Sequence, residues 1–388
     1  MTDFQSSRLS EIRRVPRCVF REHLTFKRKA VAYIRRQTAN PSLIEKVVEQ
    51  GPAYAAEIER AAFKPRLTLD LASLAVWKNL QSERKARLGA LLGDASKAKV
   101  NLSKGIFSNA TTSDQIGSVV LSEIRQFEPG QIYILNSNDI NKIGRKRYAE
   151  LFVSAQDSYV AVWDFDNHHA LTTSFLIASF SDLYIPCHGH NLAQISQFTE
   201  AIAAPVRAGV IQWAREFLRE HQDLILHGER NPNPLGRHVI YPKFKTRNWM
   251  IERLSGHFPD VGAVKADYHA KSDLERLTEW STHMSHWIIP TFNDLPIRIY
   301  DALITGGIPI LPRALLHNAE LVNIRDSAFF FDERDLETPA RITDAANDFF
   351  VKQGREGIEI RLRQAMEEEH VDARVATIVA VIRNDLTS

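Results

Sequence analysis

The run Trp163-Asp164-Phe165-Asp166-Asn167-His168-His169 closes an apolar stretch with two acids and two histidines in six residues. In an extended chain Asp164 and Asp166 point to the same side, and a following turn brings His168 or His169 back toward them. Paired carboxylates beside an imidazole can do general acid/base work or hold a cation. The plainer alternative is a helix cap and a packed histidine. A second group, Pro186-Cys187-His188-Gly189-His190-Asn191, also follows an apolar run. There Gly189 permits close backbone approach, Asn191 can cap the next helix, and His188 and His190 are either ligand-facing or surface imidazoles.

Two further groups carry positive charge. Glu229-Arg230 precedes a turn-rich stretch, and Lys243, Lys245 and Arg247 follow a strand at the start of a helix. Amides at a helix start together with three cations form a phosphate cradle or else a solvated basic loop. In the segment from Asn293 to Pro309, Pro296 suits a first helical turn and Gly306 or Gly307 a left-handed stop. Asp294, Arg298, Asp301 and Thr305 fall near one face of that helix. Arg can pair with a phosphate while Asp accepts from ribose hydroxyls, a pattern that fits a nucleotide sugar. An ordinary salt bridge on a helix surface is the competing reading.

These groups need a scaffold, and the apolar pattern supplies one. From about residue 130, short apolar runs alternate with amphipathic segments, which predicts βα units on a parallel sheet. The predicted strands are Gln131–Leu135, Tyr159–Trp163 and Leu183–Ile185, and the helices are Asn141–Ser154, Ala170–Phe180 and Asn191–Ala201. A long helix-like stretch, Pro205–His227, leads to the loop Asn231–Gly236. The rhythm then restarts with strands at Arg237–Tyr241, Val261–Lys265, His286–Phe292, Ile308–Leu311 and Ser327–Phe331. Between them lie predicted helices Thr246–Phe258, Ser272–Ser285 and Pro296–Thr305. The expected fold is α/β, two facing Rossmann-like domains with a helical N-terminal region. Its expected parts are 1–100 (mostly helical), 101–230 (N-terminal Rossmann-like domain), 237–345 (C-terminal Rossmann-like domain) and 346–388 (C-terminal helices). Ligands of such sheets sit at the carboxyl ends of the strands, where all four groups fall.

The 388 residues are 44% hydrophobic and 25% charged, which excludes disorder, collagen and coiled coil. Two cysteines, Cys18 and Cys187, cannot build a disulfide framework or a four-cysteine zinc site, and a reducing cytoplasm is expected. Net charge is +2, yet residues 1–36 alone carry +7 and the remainder −5. A basic head on a mildly acidic body points to an anionic partner, a membrane surface or a polyanionic substrate, and away from nucleic acid. A solvated basic helix is the bland alternative. No apolar run approaches a membrane span, so a soluble or peripheral protein is expected.

The stretch Arg298-Ile299-Tyr300-Asp301-Ala302-Leu303-Ile304-Thr305-Gly306-Gly307-Ile308-Pro309-Ile310-Leu311-Pro312 resembles the C-terminal nucleotide-binding signature of GT-B glycosyltransferases, closest to the exostosin-like members. Asn293 and Asp301 hold the spacing of two glutamates that, in retaining families, contact donor sugar and ribose. The resemblance implies a metal-independent enzyme without cofactor, moving a sugar from a nucleotide donor to a saccharide or lipid-linked acceptor in bacterial surface-polysaccharide synthesis. Arg230, Lys243, Arg247, Asn293, Asp294, Arg298, Asp301, Gly306 and Gly307 would hold the donor. His188, His190 and Asn191 would meet the acceptor, and Asp164, Asp166, His168 or Glu229 would act as base or nucleophile. The two-Rossmann design also resembles the β-Kdo transferases, which use cytidine-monophosphate-Kdo. Rival readings are a metal-dependent phosphohydrolase of the DHH type, an Asp-x-Asp transferase built on Asp164 and Asp166, and a non-catalytic sugar-nucleotide module.

Overall fold

The computed structural model describes residues 84–92, 97–155, 157–168, 170–264, 270–292 and 294–387. The basic head and most of the expected N-terminal helical region lie outside the described residues, as do His169 and Asn293.

Two parallel sheets organise the rest. The first contains β1 (Val100–Ser103), β2 (Ile116–Val119), β3 (Ile132–Asn136), β4 (Tyr159–Asp164) and β5 (Leu183–Pro186), in the order β2-β1-β3-β4-β5. Every pairing is parallel. β3 and β4 are buried along their whole length, which is why they read as unbroken apolar runs. Helices α1 (Ser137–Ile143), α2 (Arg145–Ser154) and α3 (Leu171–Ser179) fill the crossovers. The Asn136 side chain caps α1 by accepting from the Asn138 amide at 2.9 Å.

The second half runs through β6 (Gly236–His238), α4 (Lys245–Ser255), β7 (Val261–Ala263), α5 (Asp273–Ser281), β8 (Ser285–Trp287), α6 (Ile297–Ile304), β9 (Ile308–Pro312) and β10 (Phe329–Phe331). β6 pairs with β7, and β8 and β10 flank β9, all in parallel. Leu235 joins these two groups: its amide donates to Ser285 at 3.0 Å and its carbonyl accepts from Trp287 at 2.8 Å. The order is therefore β7-β6-β8-β9-β10. Renumbered from its own first strand, each half reads 2-1-3-4-5. The chain thus builds the expected α/β arrangement, a doubly wound sheet used twice, from two stretches that share no visible sequence repeat.

The halves are joined by two crossings that lie side by side. Residues 205–214 pass out of the first half as irregular backbone, and Val210 pairs in parallel with His370. The Val210 amide donates to Glu369 and the Val371 amide to Val210, at 2.8 and 2.9 Å. A β-carbon at Gly209 would stand 2.0 Å from the Glu369 carbonyl oxygen, so only glycine allows this approach. The long helix expected over Pro205–His227 is accordingly not formed. Pairing with the second crossing claims its first half, and Arg215–Glu220 and Gln222–His227 are two short helices that break at His221.

After the crossing the C-terminal helices part company. α7 (Pro339–Gln364) packs on the second half, whereas α8 (Val371–Thr387) returns to the first. There Val371, Val375, Ile378 and Ile382 share one core with Leu102, Ile134 and Trp163. Among the described residues no helix is long and apolar enough to cross a membrane.

Candidate functional site

In a sheet of order 2-1-3-4-5 the chain turns opposite ways from strands 1 and 3, opening a crevice at their carboxyl ends. In the second half that crevice lies beyond β6 and β8, and Arg247 of α4 spans it. Its Nε donates to the Ile289 carbonyl at 2.9 Å and its Nη1 to Val239 at 2.7 Å, one carbonyl after each strand. Its Nη2 is buried without a hydrogen-bond partner. His238 at the end of β6 accepts from the Ile289 amide at 3.0 Å. Arg298, in the first turn of α6, is half-buried with an unpartnered Nε.

The two guanidiniums feel one another. Burial, and then the Arg298 charge, push Arg247 down to about 10. Burial followed by both arginines holds His238 well below its usual range, hence neutral. The nearby carboxylate is Asp294. Burial works to raise its pKa, but the His188 hydrogen bond and the His188, His168 and Arg298 charges bring it below the ordinary value. Positive charge at this crevice outweighs negative.

An aromatic rim surrounds it. Phe244 meets Tyr241 and Phe292 edge-on at 5.9 and 4.9 Å between ring centroids, and Lys243, exposed, sits 4.9 Å from the Phe244 ring. Phe292 is 63% exposed and held at φ +54°, a left-handed backbone that costs a non-glycine residue about 1–3 kcal/mol.

Across from this crevice stand the loops after β4 and β5. Asp164 is buried, and both its oxygens are engaged: one accepts from Tyr184 Oη at 2.7 Å, the other from the Asp166 amide at 3.0 Å. It therefore supports the loop from below, while Asp166 above it is half-buried. Asn167, completely buried, locks the two loops together. Its Nδ2 donates to the carbonyls of His188 and His190 at 2.8 and 2.9 Å, and its Oδ1 accepts from the His188 amide at 3.0 Å. Asn191 does the reverse. It has φ +62° and makes no side-chain cap, and its Nδ2 donates to the carbonyls of Asn167 and His168 at 3.2 and 3.3 Å. The helix-capping expectation for Asn191 is thus replaced by loop bracing.

So braced, the loops reach the other half. His188, 2% exposed, places Nε2 3.0 Å from Asp294 Oδ1, and the Gly189 amide donates to Glu320 at 2.8 Å. Burial opposes charge on His188, but Cys187 and Asp294 outweigh it and raise its pKa to about 11. His190 moves the other way: burial and the neighbouring His188 lower it, with Glu320 and Asp294 opposing. It is a neutral, half-buried imidazole facing the second half. Since every one of these contacts joins loops that follow strands, the two sheets present their carboxyl edges to one another.

Four expected donor or catalytic residues lie elsewhere. Arg230 donates to the carbonyls of Ile225, Thr305 and His283, at 2.6, 2.9 and 3.3 Å. Thr305 terminates α6 at the end opposite Arg298, about 12 Å along an eight-residue helix. Burial lowers the Arg230 pKa to about 10. Exposed Glu229 adjoins it, and Gly306 (φ +75°) and Gly307 form the turn between α6 and β9 at that same end. These residues close a helix and brace the sheet away from the crevice.

Asp301 lies on α6 but is completely buried, one oxygen accepting from Gln212 Nε2 and the other unpartnered. Burial raises its pKa from 3.8 to about 7, against the Gln212 hydrogen bond and the Arg298 charge. The folded chain therefore keeps a proton that the unfolded chain has lost between these values. Stability is fully present below pH 3.8 and drains away as pH rises through about 7, a loss of ~4 kcal/mol at ~1.4 kcal/mol per unit. Asp301→Asn should consequently be more stable than the parent at about pH 8 and show little gain near pH 4. Denaturant titrations at both values check this, and equal effects at both would remove the proposed cause.

The first half has a crevice of its own beyond β1 and β3, a cavity of about 230 Å³ lined by Lys104, Gly105, Leu121, Asp139 and Lys142 among others. Two larger depressions, about 520 and 540 Å³, flank Arg215 beside the crossing and share no residue with either crevice.

No protein-family model matches the sequence, and no curated protein matches it. Among solved structures, the chain is similar to an α1,3-fucosyltransferase at 12% identity and a TM-score of 0.40, covering 75% of this chain and 90% of that one. It is also similar to the GtfA/B complex at 12% identity and a TM-score of 0.38, covering 66% of this chain and 58% of that one.

Proposed function

We propose that this chain is a glycosyltransferase that moves a sugar from a nucleotide-activated donor to a saccharide or lipid-linked saccharide acceptor. One observation carries the reading. Arg247 and Arg298, with buried unpartnered nitrogens, converge at the strand-end crevice of one sheet and face the His188–His190 loop of another. Two cations with buried unpartnered nitrogens, and only Asp294 nearby, itself engaged by His188, call for an anion, and a sugar phosphate or diphosphate supplies it. The rim of Tyr241, Phe244 and Phe292 offers flat apolar surface to a base, with Lys243 beside it. Asp294 lies where the donor sugar would stand, and Asp301 braces the helix behind Arg298.

The acceptor would enter from the first half, along its own crevice. His190, held neutral, takes the proton from an acceptor hydroxyl, and that oxygen attacks the anomeric carbon of the donor. The bond from the anomeric carbon to phosphate oxygen breaks, and the nucleotide leaves with the electron pair. Arg298 and Arg247 stabilise the charge that develops there. Asp166 and His168 line the same loop system, and Asp164 supports it. Bacterial surface-polysaccharide synthesis is the setting this chemistry fits. Cytidine-monophosphate-Kdo is the alternative donor, needing only one phosphate partner.

The test is nucleotide affinity. Arg298→Ala should weaken binding of a nucleoside diphosphate by about 1.5–3 kcal/mol, the usual size for a hydrogen bond to a charged group, or roughly 10- to 150-fold. Arg298 makes fewer structural contacts than Arg247, so the fold should survive. Isothermal titration on the folded variant decides the matter, and undiminished affinity would remove the crevice from the donor site.

A further inference from the structure

The meeting point of the halves brings together three side chains of metal-ligand type. His168 comes from the loop after β4, His188 from the loop after β5, and Asp294 from the loop after β8. Each offers a ligand atom, and these atoms lie within 4.8 Å of one another. The rings of His168 and His188 meet edge-on with centroids 4.6 Å apart. We propose that these three side chains form a binding site for a transition-metal dication of the zinc class, shared between the two halves.

Three features favour a built site over a chance encounter. The first is spacing. Two ligands of a tetrahedral ion with bonds of about 2.0–2.1 Å stand roughly 3.3 Å apart, and His188 Nε2 and Asp294 Oδ1 are already at 3.0 Å. A cation entering here would displace the proton that now bridges them. The second is rigidity. Asn167 holds the His188 backbone at both its amide and its carbonyl, and Asn191 holds the His168 carbonyl, so both imidazoles stand on a braced support. The third is desolvation: His188 is 2% exposed, so little water competes with a cation there.

The donor set also selects the ion. Two imidazoles and one carboxylate suit zinc and its neighbours, whereas magnesium and calcium prefer all-oxygen shells. Three protein ligands leave at least one position open on a four-coordinate ion. Because His168 and His188 belong to one half and Asp294 to the other, the ion would also hold the halves in contact. The inference uses the facing of the two strand edges but needs no particular donor.

The probe is zinc chloride titrated calorimetrically into the full chain after chelator dialysis, with magnesium chloride in a parallel run. One equivalent of zinc should bind and magnesium should give no heat. His188→Ala and Asp294→Asn should each weaken zinc by at least the roughly 10- to 100-fold that loss of even an outer partner costs. His168→Ala, at a less buried position, repeats the test if His188→Ala fails to fold. His257→Ala, remote from the three, should leave binding unchanged. Absence of zinc binding, or zinc binding that all three site variants retain, overturns the proposal and leaves adventitious surface histidines. Nucleotide binding by the same samples separates this from the donor reading: a chain that binds nucleotide but not zinc loses only the metal site.

Discussion

Glu369→Ala should lower the unfolding free energy by roughly 3–5 kcal/mol, the range observed when one partner of a buried ion pair is removed. Glu369 is completely buried in the turn between α7 and α8. Its carboxylate accepts from Arg207 on the first crossing and from Arg374 on α8, whose side chains are 12% and 10% exposed. Burial would strip charge from Arg207, yet Glu369 more than offsets this and raises its pKa. Without the carboxylate, two guanidiniums face each other in a site that water scarcely reaches. The adjoining backbone pairing of Val210 with Glu369 and Val371 shares the damage. Chemical denaturation of parent and variant measures the difference, and a loss under about 1 kcal/mol would show that water solvates the pair after all.

Replacing His190 by Ala should cut turnover by roughly 100-fold or more while leaving nucleotide affinity close to that of the parent, because general-base catalysis typically contributes 10²–10⁴-fold. The expectation rests on the opposite electrostatics of two neighbours. In the metal-free chain His188 is held against Asp294 and keeps its proton, whereas His190 is lowered by burial and by His188, so it can accept one. Asp166→Asn is the comparison, near-isosteric and on the adjoining loop. Should Asp166→Asn lose the activity and His190→Ala retain it, the base is the carboxylate.

Much of the framework can be read from the residues, and the exceptions have physical causes. β3, β4 and β5 are legible because burial on both faces demands continuous apolar sequence. β1 and β2 escape notice because each is only four residues long and half polar or glycine, Val100-Asn101-Leu102-Ser103 and Ile116-Gly117-Ser118-Val119, so neither forms an apolar run. Asn101 and Ser103 are nonetheless buried, and each has a partner: Asn101 donates to Gln131 at 2.6 Å and Ser103 Oγ accepts from the Asn136 amide at 3.1 Å. A satisfied polar group costs little to bury, and composition cannot reveal that its partner exists.

For the site, spacing along α6 puts Arg298 and Asp301 near one another but cannot say which end of the helix faces a ligand. Gly306 and Gly307 share a motif with Arg298 yet close the far end of α6, where Arg230 donates to the Thr305 carbonyl. Helix and strand run in opposite senses, so Arg298 and the Gly306-Gly307 turn, at the two ends of α6, lie on opposite edges of the sheet. Asn167 stood in plain view between Asp166 and His168. Its role as a latch depends on a loop twenty residues away, and only the fold brings the two together.

The return of α8 to the first half also constrains the order in which the chain can fold. A ribosome delivers the strands β1 to β5 long before residues 371–387, yet Val371, Val375, Ile378 and Ile382 complete the core beneath them, and Asp385 accepts from Tyr159 Oη at 2.7 Å. During synthesis the earlier-made sheet must wait with an uncovered apolar face while the whole second half emerges. Domains made in sequence usually finish one at a time. Here the first-made half is the last that can be finished, and its exposed face in the interval is a natural client for a chaperone.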